Sequence, residues 1–179
     1  MSDLKNLTLG QLLDSQALKH ANKDAIVFTD LHYRITYKEF KDITDEIAKG
    51  LLALHIKKGE HIGIFAVNCP EWVILQFAAA KIGAVLVNIN PALKTHELKY
   101  ILEQGDITTL FLTEFFKGQN MVEVLQNIGK DPDVGTCHGK PQQTIPQQLP
   151  LLKKIITIKT NSFPEYIKWN DLFELAKSI

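Results

Sequence analysis

From Asn68 to Leu98 the chain packs a turn, a nearly all-apolar helix, a short apolar strand and the start of another helix into one run. Pro70 suits the first turn of a helix, where its missing N–H would have no partner anyway. Between Trp72 and Ile82 only Gln76 and Lys81 are polar, so the spacing predicts a helix buried on most sides. Gly83 ends that helix. Ala84-Val85-Leu86-Val87 then reads as a core strand, bounded by Asn88 and Pro91. With the apolar run His61–Ala66 ahead of it, this is a βαβ-type unit, and such units restrict a chain to α/β layering.

The flanking sequence continues the alternation. Thr8 with Gln11, and Thr36 with Glu39, have the spacing of capping boxes. The first opens a helix with Leu9, Leu12, Leu13 and Ala17 on one face. The second opens a helix with Phe40, Ile43, Ile47, Leu51 and Leu54 inward, stopped by Lys57-Lys58-Gly59. Between them, Ala25–Phe28 and Tyr33–Thr36 flank the polar turn Thr29-Asp30 and predict a hairpin. Thr95 is expected to cap a helix carrying Leu98, Ile101 and Leu102, with Gly105 beyond its end. Thr108–Leu112 predicts a strand, Met121–Ile128 a short helix, Leu152–Ile158 a strand and Asn170–Lys177 a closing helix. The expected fold is therefore α/β: a mostly parallel, doubly wound sheet with helices on both faces, plus an N-terminal β-hairpin. Residues 129–150 break the pattern. Glycines, prolines and paired glutamines without a hydrophobic period predict a flexible loop or insertion there.

Composition narrows the function classes. Lysine plus arginine and aspartate plus glutamate number 20 each, which gives no electrostatic case for nucleic acid or an anionic membrane. The longest apolar runs are interrupted by Gln76 and Lys81, too short for a transmembrane segment. Met1-Ser-Asp-Leu-Lys5 lacks the basic-then-apolar layout of a signal peptide, so a cytoplasmic location is expected. Cys69 and Cys137 lie in separate segments and suggest no disulfide framework.

The residues themselves, beyond their pattern, resemble a family. Asn68-Cys-Pro-Glu-Trp72, then Ala79-Ala-Lys-Ile-Gly-Ala-Val-Leu-Val-Asn-Ile-Asn-Pro91, then Glu97-Leu-Lys-Tyr-Ile-Leu102 resemble the N-terminal region of adenylate-forming (AMP-binding) enzymes, and within them the acyl-CoA synthetases or fatty-acid–CoA ligases. The resemblance runs from about Thr8 to Phe116. It implies a two-step reaction using ATP, Mg²⁺ and CoA: a fatty-acid carboxylate forms an acyl-adenylate, and the CoA thiol then displaces AMP.

In that family a Thr-Ser-Gly-Thr-Thr-Gly-type loop holds the phosphates. No such loop, and no G-x-x-x-x-G-K-[ST] or G-x-G-x-x-G pattern, occurs here. The resemblance thus implies that residues 1–179 are an N-terminal α/β subdomain of a larger synthetase. Its catalytic, metal and nucleotide residues are expected beyond Ile179, and its partner is the downstream part of the same chain. Such a fragment is expected to be inactive and to bind none of the cofactors tightly. It would also expose apolar surface through which it can form a homodimer.

Candidate site residues are few. None of the six histidines pairs with another histidine or a carboxylate at metal-binding or catalytic spacing. His96-Glu97 reads as a solvated first turn, Cys137-His138 lacks further zinc ligands, and Cys69 reads as a small turn residue. Phe65, Trp72 and Phe77 read as core packing rather than an acyl pocket. One loop, Asn88–Lys94, follows a strand's carboxyl end, where open α/β sheets bind ligands. In the family the matching loop lies near CoA, so the resemblance makes Asn90, Pro91 and Ala92 candidates for the CoA channel. The plain alternative is a turn before Thr95. Two further readings stay open: another adenylate-forming ligase (aryl–CoA or luciferase-like), and a non-catalytic interaction module using an exposed sheet edge.

Overall fold

A computed structural model describes residues 6–130, 145–160 and 162–179. The described residues form two compact units, the first of residues 6–60, 68–86 and 170–179, the second of residues 61–67, 87–130, 145–160 and 162–169.

The first unit is built around helix α2, Tyr37–Ala53. Helix α1, Leu9–His20, helix α3, Pro70–Ile82, and helix α6, Asp171–Ala176, all pack against α2. Both capping boxes form: the N–H of Gln11 donates to Thr8 Oγ1 at 3.2 Å, and that of Glu39 to Thr36 Oγ1 at 3.2 Å. The Thr36 N–H and hydroxyl in turn donate to the Glu39 carboxylate and hold its pKa below the ordinary value. Strands β1, Asp24–Phe28, and β2, Tyr33–Thr36, form the expected antiparallel hairpin. Its turn is one 3₁₀ turn, Thr29–Leu31, closed by His32 in the left-handed region.

Phe40, Ile47 and Leu51 bury the α2 stripe, and the Phe40 ring meets Phe77 edge-on at 5.1 Å. Lys81 ties three helices together, donating to Asp14 on α1 at 2.6 Å and to Asp45 on α2 at 2.5 Å. Burial pushes the Asp45 carboxyl up, but hydrogen bonds from Lys41 and Lys81 outweigh it and leave the pKa below the ordinary value. At α3 the expected boundaries hold, with Pro70 in the first turn and Gly83 closing the helix in the left-handed conformation (φ 75). Helix α2 ends earlier than its sequence suggests. Leu54 caps it and His55 takes a positive φ, so Lys57-Lys58-Gly59 lies in the following turn rather than stopping the helix.

The second unit holds most of a five-stranded parallel sheet in the order β4-β3-β5-β8-β9. These strands are β3, His61–Phe65; β4, Val85–Ile89; β5, Ile107–Thr113; β8, Lys154–Ile158; and β9, Ile167–Lys168. Register runs from Phe65 opposite Leu112 to Leu112 opposite Thr157. A two-stranded ribbon, β6 Phe115–Phe116 and β7 Gln119–Asn120, follows β5.

Strand β5 is buried along nearly its whole length, as expected of a central parallel strand. Leu110 and Leu112 join a cluster with Leu98 and Leu102 of helix α4 (Thr95–Gln104) and Leu125 of helix α5 (Met121–Gln126). Strand alternation sends Phe111 to the opposite face, where its ring meets Trp169 edge-on at 6.0 Å.

Two further sequence expectations change. The strand read as core, 84–87, is β4 and stands at a sheet edge with Val85 44% exposed, because an apolar run alone does not say how many neighbours a strand has. Thr95 does not cap α4: Lys94 holds that position, its N–H donating to the Glu97 carboxylate at 2.9 Å, while the Thr95 hydroxyl donates to the Val124 carbonyl at 3.3 Å. Of the segment 129–150, positions 131–144 with Cys137 and His138 lie outside the described residues. Its end is packed, with Pro146 and Leu149 buried and Leu149 part of the second unit's core.

Candidate functional site

The chain enters the sheet at β3, steps to one side for β4, and crosses back to the other side for β5. The strand order therefore reverses between β3 and β5. Ligands of open α/β sheets bind outside the carboxyl ends of the strands at such a switch point. Here those ends are Phe65–Val67 and Leu112–Glu114, with the turn after β4 on the same edge of the parallel sheet.

That turn carries the three sequence-derived candidates. Asn90 and Ala92 are exposed and Pro91 is half-buried. Asn90 Oδ1 accepts the Ala92 N–H at 2.9 Å, and the Asn90 carbonyl accepts the Leu93 N–H at 3.2 Å. This is the self-bonded turn that Asn-Pro favours, and it leaves the Ala92 methyl group toward solvent.

Sequence reasoning missed the polar groups on the neighbouring loops. Glu114, directly after β5, accepts the hydroxyl of Thr160, and that of Ser162 at 3.3 Å, so it ties the segment after β8 to the end of β5. Gln119 donates to the Leu93 carbonyl at 3.1 Å and accepts from the Lys94 ammonium group. Gln119 directly follows Lys117-Gly118. Both residues take positive φ (47° and 80°), the requirement of a tight two-residue hairpin turn. Phe65 is fully buried, Phe77 packs on Phe40, and Trp72 is half-buried; Phe65 and Phe77 thus have core roles.

The donor set bears on which groups these residues can hold. Among the described residues no three His, Cys, Asp or Glu side chains come together as metal ligands. The sequence has no glycine-rich phosphate loop. Among the described residues no helix is long and apolar enough to cross a membrane.

A known family matches most of this sequence. The model of the AMP-binding enzymes covers residues 13–172, and the chain belongs to that family. It is similar to the Bacillus subtilis protein YngI, 35% identical over 179 residues, all of this chain and 32% of YngI. It is also similar to the acyl-CoA ligase sidI of Aspergillus fumigatus, 41% identical over 127 residues, which are 71% of this chain and 22% of sidI. The human medium-chain acyl-CoA ligase ACSF2, mitochondrial, is 31% identical over 155 residues, 87% of this chain and 25% of that one. The chain thus spans about a third or less of these relatives' length.

Among solved structures, the anthranilate CoA ligase AuaEII in complex with anthranoyl-AMP superposes with a TM-score of 0.75 at 23% identity, over 94% of this chain and 28% of that one. The N-terminal domain of FACL13 from Mycobacterium tuberculosis gives 0.70 at 22%, over 96% and 36%. Identities this low establish the fold alone.

Proposed function

We propose that residues 1–179 form the first α/β part of an ATP-dependent acyl-CoA ligase whose acid substrate is a medium-chain fatty acid. In the whole protein a carboxylate oxygen attacks the α-phosphorus of ATP, releasing pyrophosphate, and the CoA sulfur then attacks the acyl carbon, releasing AMP. ATP and Mg²⁺ belong to residues outside this chain. What this chain contributes is the sheet and the turn at Asn90, Pro91 and Ala92, which borders the path of CoA. The observation that carries the reading is the 13–172 family match, together with relatives named as acyl-CoA ligases at 41% and 31% identity. The fatty-acid class follows the medium-chain relatives, which align over most of the chain. The exposed Ala92 methyl beside a self-bonded turn agrees with a wall that a thin ligand passes.

In the full-length enzyme, Ala92→Trp or Pro91→Phe is expected to raise the KM for CoA about tenfold. The KM for ATP should stay put, because only binding shared by ground and transition states is lost. A CoA KM unchanged in both variants removes the turn from the CoA path.

A further inference from the structure

We infer that Gln119 is a positioning residue for CoA use: its carboxamide clamps the turn at Asn90–Ala92 from the ribbon that follows β5. The inference rests on the reading of that turn as a wall of the CoA path.

Three ties join the 93–95 segment to residues 119–124. Gln119 Nε2 donates to the Leu93 carbonyl at 3.1 Å, Gln119 Oε1 accepts from Lys94 Nζ, and the Thr95 hydroxyl donates to the Val124 carbonyl at 3.3 Å. Gln119 supplies two of the three, using both ends of one side chain, and it is half-buried. Its own place is fixed twice over. The Lys117-Gly118 turn sets the ribbon register, with Phe116 opposite Gln119, and Asn120 caps α5 by accepting the N–H groups of Val122 and Glu123 at 3.0 and 3.1 Å.

The turn itself is held less firmly. Its internal bonds are those of Asn90 to Ala92 and Leu93, and Asn90 and Ala92 are exposed. A short exposed turn on an edge strand has several conformations open to it, and a wall that moves does not hold a ligand path open. An amide is suited to this clamp because it presents a donor to the carbonyl and an acceptor to the ammonium in one plane. A glutamate keeps the acceptor but turns a carboxylate toward the Leu93 carbonyl. A leucine keeps the bulk and loses both bonds.

The test uses Gln119→Leu and Gln119→Glu. Hydrogen exchange is read over residues 88–97 in the 179-residue chain, and steady-state kinetics in the full-length enzyme. Losing both bonds in Gln119→Leu is expected to speed exchange of the Ala92 and Leu93 amides about fivefold. The KM for CoA should rise about fivefold, with kcat and the KM for ATP within about twofold. Lys94→Met, which removes only the ammonium bond, should give a smaller change in the same direction. Unchanged exchange over 88–97 in both Gln119 variants would overturn the clamp whatever the kinetics. Faster exchange with an unchanged CoA KM would overturn the positioning role, and would count against the CoA reading of the turn rather than against the clamp. A full-length enzyme that makes no acyl-CoA at all would instead sink the ligase reading itself. Loss of α5 protection at Val122–Leu125 marks a misfolded ribbon, and in that case Lys94→Met alone decides.

Discussion

Phe111→Ala is expected to destabilise the second unit by about 3–5 kcal/mol, the range for truncating a fully buried phenylalanine. Phe111 sits at the middle of β5, has no exposed surface, and rests its ring on Trp169 in an edge-on pair. Its neighbours on the strand, Leu110 and Leu112, point to the other face, so they cannot close the space left behind. Domains of this kind have total stabilities of about 5–15 kcal/mol, so the loss is a large share of what holds the sheet. Urea unfolding followed by the fluorescence of Trp169, with Trp72 replaced by phenylalanine, reads the effect, because Trp169 lies in the second unit and Trp72 in the first. Phe111→Leu should recover more than half of the loss. An unfolding free energy for Phe111→Ala within about 1 kcal/mol of the parent would mean that the Phe111 face of the sheet is not packed as described.

Gly50→Ala is expected to destabilise the first unit by about 2–3 kcal/mol, even though alanine is the better helix former by about 1 kcal/mol. A Cβ at Gly50 would stand 2.5 Å from the Leu172 carbonyl oxygen and 2.9 Å from the Leu172 Cβ. The first of these is backbone, so no rotamer change relieves it and α6 must move away from α2. Leu172→Ala should therefore fail to rescue Gly50→Ala. Hydrogen exchange should show residues 171–176 losing protection before the rest of the unit. A Gly50→Ala chain that melts at or above the parent temperature would show that α6 does not pack this closely on α2.

Much of this was legible in the residues. Thr8–Gln11 and Thr36–Glu39 announced two helix starts because a capping box is a local device, complete within four positions. Pro70 and Gly83 bounded α3 for the same reason. What sequence could not settle was whatever depends on neighbours distant in the chain. The run 84–87 looks the same whether one strand or two lie beside it, and only the strand order makes β4 an edge. Thr95 has the chemistry of a cap but spends its hydroxyl on Val124, a partner 29 residues away. The same holds at the candidate site. Asn90-Pro91 announced a turn, whereas Gln119 and Glu114 gave no sign of the loops they tie down.

On the proposed reading, residues 1–179 are scaffold and other residues of the whole ligase carry its ATP chemistry. Acid-dependent ATP–pyrophosphate exchange tests it most directly, measured on the full-length protein and on residues 1–179 with a panel of straight-chain and aromatic acids. Exchange is expected from the full-length protein, strongest with medium-chain fatty acids, and none above background from residues 1–179. Exchange by the 179-residue chain alone, or no exchange by the full-length protein with any acid of the panel, would contradict it.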